Sequence, residues 1–558
     1  MKHKTKEKVF EGLPANVVEF IWLVIKKMRY RRKVRKEVLA ELAGHFEDAL
    51  RQCKTDEKKE KEAEKLIEEF GDARLLGILL RRAKKRCRPL WQKVAVRTVQ
   101  CLGIILVYVL LRGSFLFIGE PDVKVNYIVW LNNLVRDSED DSLNAKPLID
   151  EALAVMDQSL IEDSEDIIFL WPGDMNDVEE SVCADFLDQN KEVFNKIREA
   201  LKKPYFWNDY SAGREELLLE KPSSPFPEAI RIALPGQMDL AVLGPCMETL
   251  SRYRRLAYIF RLQIFWEFYK GDIKSAIDDS LALVRFGVFS QGKGLIIEQL
   301  VGIATEAVGL QVVYTLLDRI DVPEDSLERL KTELERLYSE YNRPISIEAE
   351  QAFWYDQIQR GFTDDGRGNG RALRRGMPWV IGDWKDLVSG FVFWNFPDRQ
   401  AVTEGIETLV NRFCEFVSKA PYELSLEDKE RYIDSVETSI ILQQNLLPAY
   451  ERLYALNWRV RTERAAVLTL LSLMIYEKNK GKFPTELEEL VSEGIIDKLP
   501  LDPYSGFTMG YRRTEDGFIL YSVGTDMKDD GGETARNKEG KMLKFADEGD
   551  WVFWPVKK

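Results

Sequence analysis

Histidine is almost missing from this chain: two occur in 558 residues, His3 and His45. Beyond residue 45 this excludes Ser-His-Asp and Cys-His nucleophiles and any histidine-ligated zinc. The six cysteines (Cys53, Cys87, Cys101, Cys183, Cys246 and Cys414) contain no CxxC pair, which excludes a zinc ribbon or thioredoxin motif. At most one disulfide could join two of the last three. Positive charge is also scarce over most of the length. Residues 98–558 carry 53 Lys/Arg against 78 Asp/Glu, a net of −25. Phosphate recognition needs clustered cations, so nucleic acid is excluded as a partner of this part.

Residues 1–97 are the opposite, with 27 basic and 15 acidic residues. Such asymmetry implies two environments, and one long apolar run lies between them. "VQCLGIILVYVLLRGSFLFI", Val99 to Ile118, has 20 residues and one charge, Arg112. As a helix it spans ~30 Å, the thickness of the hydrocarbon layer. Arg112 lies about two turns from the end, where its stem can snorkel. Arg81, Arg82, Lys84, Lys85, Arg86, Arg88, Lys93 and Arg97 lie before or at its start, and no acid occurs between Arg81 and Gly119. The positive-inside rule then predicts a retained, single-pass anchor in a bacterial inner membrane, with the N-terminus cytoplasmic and the acidic bulk outside.

At 558 residues the chain exceeds one core, and the expected class is mainly α. Its parts are a cytoplasmic helical head with a basic juxtamembrane segment (1–97), a transmembrane helix (98–119), an extracytoplasmic helical-hairpin domain (120–460) and a small α+β module (461–558). In the head, Val34, Val38, Leu42, Phe46 and Leu50 share a helical face, and Gly71 and Asp72 stop one helix and cap the next. "ELAGHFEDAL" and "EAEKLIEEFGDARLLGILL" resemble the small helical prefix domain of bacterial permease-type membrane proteins, which implies regulation or interaction, not catalysis. His45 beside Glu41 and Asp48 reads as a satisfied histidine of a small domain.

In the middle, helical periodicity runs through Ile259, Phe260, Ile264 and Phe268 to a Gly271 stop. Asp272 caps a second helix carrying Ile277, Leu281 and Val284. The pair has a tetratricopeptide flavour without a repeating period. Leu295 to Leu317 is apolar enough to raise a second span, but Glu298, Gln299 and Glu306 interrupt it, and burial in the domain is expected. A histidine-free hydrolase would use paired carboxylates. Glu348, Glu350 and Asp356 beside Trp354 and Tyr355, with Glu298 and Glu306, are the candidates, and only convergence on one cavity would make them a site. "GFTDDGRGNGRALRRGMPW" reads as a mobile loop without a P-loop lysine.

The C-terminal stretch gives a helix from Arg464 to about Lys478, a short threonine-capped helix over Thr485–Ser492, and strands near Thr508–Arg513 and Phe518–Val523. This order, with "GKFP", "LDPYSG" and "YSVGTD", resembles the periplasmic part of type II secretion major pseudopilins over roughly 90 residues. The resemblance implies a structural calcium in the loop after the strands, with Asp526 and Asp550 matching the family's acids. Asp529, Asp530 and Glu533 are further candidates. The segment is not N-terminal and no prepilin cleavage site precedes it, so pseudopilus assembly is not implied. Independently, an acidic loop with free carbonyls suits a hard cation, although Asp-Asp-Gly-Gly also turns a chain without one. Function is therefore expected to be binding or scaffolding of an unidentified envelope protein, with a tethered hydrolase as the alternative.

Overall fold

The computed structural model describes residues 10–53, 55–86, 90–115, 119–157, 170–210, 244–373, 398–425, 427–428, 447–515, 517–537, 542–543 and 545–555. The chain is mainly helical with one small sheet, and it divides into two compact units, Met1–Phe115 and Leu116–Lys558.

The first unit comprises α1 (Ala15–Met28), α2 (Arg32–Leu50), α3 (Asp56–Phe70), α4 (Ala73–Arg86) and α5 (Leu90–Phe115). Its core joins Val17, Ile21, Val24 and Met28 of α1 to Val38, Leu42, Phe46 and Leu50 of α2, the face expected from spacing. Gly71 adopts φ +71 and ends α3, and the Asp72 carboxylate accepts from Arg74 N at 2.7 Å. His45 sets its ring against Phe70 at 5.4 Å, while Glu41 pairs with Lys84 at 2.8 Å. In α5 every residue from Arg97 to Tyr108 is exposed, around more than three full turns. Val99 is 68% accessible and Ile104 70%. Residues 116–118 of the expected span lie outside the described residues.

The second unit continues with α6 (Tyr127–Val135), α7 (Lys146–Val155), α8 (Asp177–Gln189), α9 (Lys191–Ala200), α10 (Gly244–Tyr269), α11 (Ile273–Gln291), α12 (Ile296–Arg319), α13 (Glu324–Glu340), α14 (Gln351–Gly361), α15 (Arg399–Ser418), α16 (Leu447–Lys480) and α17 (Glu488–Ser492). Gly271 at φ +81 breaks α10 from α11, and Asp272 Oδ1 caps α11 through Ser275 N at 3.1 Å, as the sequence implies. The central hairpin, α11 against α12, is closed by glycines. A methyl at Gly302 would lie 2.6 Å from Gln291 N, and one at Gly309 would lie 2.8 Å from Val284 Cγ2.

Among the described residues α12 is the one helix long and apolar enough to cross a membrane by length and composition. It is a core helix here, with 61% of its apolar window buried; the described apolar run of α5 is the shorter Arg97–Tyr108. The polar interruptions of α12 find partners. Glu306 is fully buried and takes Arg464 Nε and Nη2 at 2.6 Å each, tying α12 to α16.

β1 (Gly510–Arg513), β2 (Phe518–Ser522) and β3 (Trp551–Trp554) form an antiparallel sheet in the order β1-β2-β3. Arg513 pairs with Phe518 and Ser522 with Trp551, with a register shift between Leu520 and Tyr521. The third strand, from "DWVFW", was not expected as a strand. The expected threonine cap is also replaced: α17 starts at Glu488, and Thr485 N instead donates to Glu489 Oε1 at 2.6 Å. The 34-residue α16 runs straight through the 460/461 boundary expected from sequence, and one core includes residues from both sides of it. The glycine- and arginine-rich segment expected to be mobile is pinned as far as residue 373. Phe362 bridges Ala372, and Asp364 holds Lys124 at 3.2 Å and Arg399 at 3.0 Å.

Candidate functional site

Four of the five carboxylates proposed for hydrolysis are held by structural bonds, and two of them, Glu298 and Glu350, meet at the start of α12 on the adjacent amides of Leu295 and Ile296. Glu298, buried at the start of α12, takes the hydroxyl of Tyr210 at 2.5 Å, Leu295 N at 2.7 Å, and Asn208. Glu306 is spent on Arg464. Glu350 Oε1 accepts from Ile296 N at 2.8 Å, and Asp356 bonds Arg360 Nε at 2.9 Å and Gln359 Nε2 at 2.9 Å. Glu348 is exposed. None of the five lines either of two clefts in this unit.

One of those clefts, of about 540 Å³, carries a charge arrangement of its own. Arg198 on α9 reaches across to α11, where Nε and Nη2 clamp Asp279 at 2.6 and 2.5 Å. The same Nη2 donates to Glu267 Oε1 on α10 at 3.2 Å, and Gln263 Nε2 donates to that oxygen at 2.7 Å. Glu267 Oε2 is buried without a hydrogen-bond partner. Glu267 is 9% exposed and Asp279 1%. Burial, with the Asp279 carboxylate adding to it, pushes Glu267 up to about 8. Burial raises Asp279 as well, against the pull of Arg198. Two buried carboxylates thus share one guanidinium and lack one positive charge, which a proton on Glu267 supplies near neutral pH. Asp188, Lys191, Asn195, Trp266, Ser275 and Asp278 also line the cleft, so its mouth carries one further cation and two further acids. Sequence reading missed this site, although the signal was present. Glu267 stands three residues after Ile264 and seven after Phe260, an acid on a face otherwise committed to the core.

The C-terminal loop arranges its acids mainly as turn-formers. Asp526 Oδ1 accepts from Lys528 N at 3.0 Å and Oδ2 from Gly549 N at 3.3 Å. Asp529 Oδ1 accepts from the Tyr521 hydroxyl at 2.8 Å and from Gly531 N at 2.9 Å. Asp530 and Glu533 are exposed, the latter touching the site through its carbonyl, which accepts from Asp550 N at 2.9 Å. Asp550 differs. It is 1% exposed, Oδ2 accepts from Gly532 N at 2.6 Å, and Oδ1 is buried with no hydrogen-bond partner. Burial raises its pKa, against the backbone N–H groups of Gly532 and Asp530, with the Asp529 and Asp530 charges adding a smaller rise. Among the described residues no three His, Cys, Asp or Glu side chains converge as a metal cage. Any ion here would lean on Asp550 and backbone carbonyls.

Next to these bonds the motifs "LDPYSG" and "YSVGTD" meet physically. Asp502, 1% exposed, accepts from Tyr504 N at 3.0 Å, Ser522 Oγ at 2.9 Å and Val523 N at 3.1 Å. The three cysteines expected to allow a disulfide, Cys183, Cys246 and Cys414, are all free. No protein family matches this chain, and neither a curated protein nor a solved structure does so.

Proposed function

We propose that the chain is a membrane-anchored cell-envelope protein that binds or scaffolds a partner outside the cytoplasm, held by the helix Leu90–Phe115. One observation carries the reading: the apolar residues of α5 are exposed on all sides, from Val99 to Tyr108. A helix bare around its circumference requires an apolar solvent, and the acid-free basic stretch before it favours a cytoplasmic head. Alkaline carbonate washing of cell membranes tests the anchor. The chain should stay in the pellet and enter the supernatant only with detergent; release by carbonate alone would end the reading.

The binding role is read at the Arg198 cleft. Its deficit of one positive charge fits a cationic group, an ammonium or guanidinium that replaces the proton on Glu267. Hydrolysis has less support, because four of its five candidate acids are engaged in structural bonds and none of the five lines either cleft.

A second reading concerns the pseudopilin-like module. Asp550 Oδ1, buried and unpartnered beside Asp529 and Asp530, favours a structural calcium held with loop carbonyls. Millimolar calcium should then raise the melting temperature of the whole chain, and Asp550→Asn should abolish the rise. An equal rise in the variant would refute the site.

A further inference from the structure

The head carries an apolar face that its own core leaves uncovered. Helix α4 packs on α1 through Ala73 and Gly77, so closely that a methyl at Gly77 would sit 2.8 Å from Val24 O. On the other side Leu75, Ile78 and Leu79 stand at 57, 45 and 50% exposure. Their i, i+3, i+4 spacing puts them on one stripe. Along the same stripe and its flanks toward the helix end come Arg81, Arg82 and Lys85, all exposed. Lys84 turns back to Glu41. No acidic residue occurs from Ala73 to Gly119, and only three residues separate α4 from the bare apolar helix α5.

We propose that this face of α4 docks on the anionic headgroups of the leaflet that α5 enters, with Leu75, Ile78 and Leu79 below the phosphates and Arg81, Arg82 and Lys85 among them. Charge and continuity select this occupant. An acid-free basic stretch suits anionic lipid. The short connection to α5 keeps α4 near the bilayer, so docking costs little further ordering. The inference rests on the anchor reading above. It makes the head a part oriented by lipid charge, in which the exposed leucines, otherwise a liability in water, have a partner.

The test uses the full chain in lipid nanodiscs carrying Ile78→Cys, with the rate of maleimide labelling at that position read by peptide mass. Labelling should be about five-fold slower in discs with about 30% phosphatidylglycerol than in phosphatidylcholine alone. About 0.5 M salt should restore the rate, and so should the triple variant Arg81→Gln, Arg82→Gln, Lys85→Gln. Equal rates in the two lipids would overturn the proposal. A rate that instead falls with the number of chains per disc would assign the face to a second copy, and would overturn it too. A chain that never enters discs removes the anchor, and this inference with it; equal labelling in a reconstituted chain removes the docking alone.

Discussion

At the scale of single residues, buried carboxylates do most of the specifying. Asp502 gathers two backbone N–H groups and a hydroxyl from separate segments of the C-terminal sheet region. Asp502→Ala leaves those N–H groups buried without an acceptor, so denaturant unfolding should show a loss of about 2–4 kcal/mol. Glu267 gives a pH signature. Its folded-state pKa lies above the usual glutamate range, so the folded state holds a proton that the unfolded chain releases. The associated stability is full below the ordinary value of 4.5 and is lost as pH rises through about 8. Melting temperature should therefore fall between about pH 5 and about pH 9, and Glu267→Gln should flatten that slope. A variant as steep as the parent would contradict the assignment. What the sequence could show at this scale was uneven. Asp272 as a cap follows from its neighbours along the chain. The Arg198–Glu267–Asp279 cluster does not, because its three members come from three helices, and sequence distance says nothing of their meeting.

Among elements, the α11–α12 hairpin is the most tightly defined contact. Gly302 and Gly309 let the helices approach to backbone distance, and Gly287 stands against Glu306 from the other side. Gly302→Ala pushes a methyl into Gln291 N and should cost about 1–3 kcal/mol in chemical denaturation, although alanine favours an isolated helix. Strong periodicity made α10, α11 and the head helices legible, and the polar breaks in α12 marked a helix whose apolar window is 61% buried. The third strand was opaque. Its partner in the ladder, β2, ends 29 residues earlier, and no turn signal joins Trp551 to Ser522. The α17 cap was misread because the helix begins only at Glu488, with Leu487 in the cap position, and Thr485 enters through its own N–H, which donates to Glu489 Oε1.

Across the whole molecule, charge asymmetry and one apolar run implied two environments within four expected parts, and the chain forms two compact units that divide at Phe115. The boundary expected at 460 has no counterpart among the described residues for a physical reason: the change in composition there falls within one continuous helix, and one core includes residues from both sides of it. In calorimetry of the full chain, residues 116–558 should therefore unfold in one transition, and Asp502→Ala should shift that transition without splitting it. Separate endotherms for the helices and the sheet would refute the shared core.

Helix α16 has one further result. Its 34 residues make a spar about 51 Å long, buried in the helical layers at one stretch and under the sheet at another. A tug on the C-terminal strands reaches this helix directly, because β2 and β3 pack against it. It arrives at α12 and α13 as leverage, because the one helix packs on both of them as well.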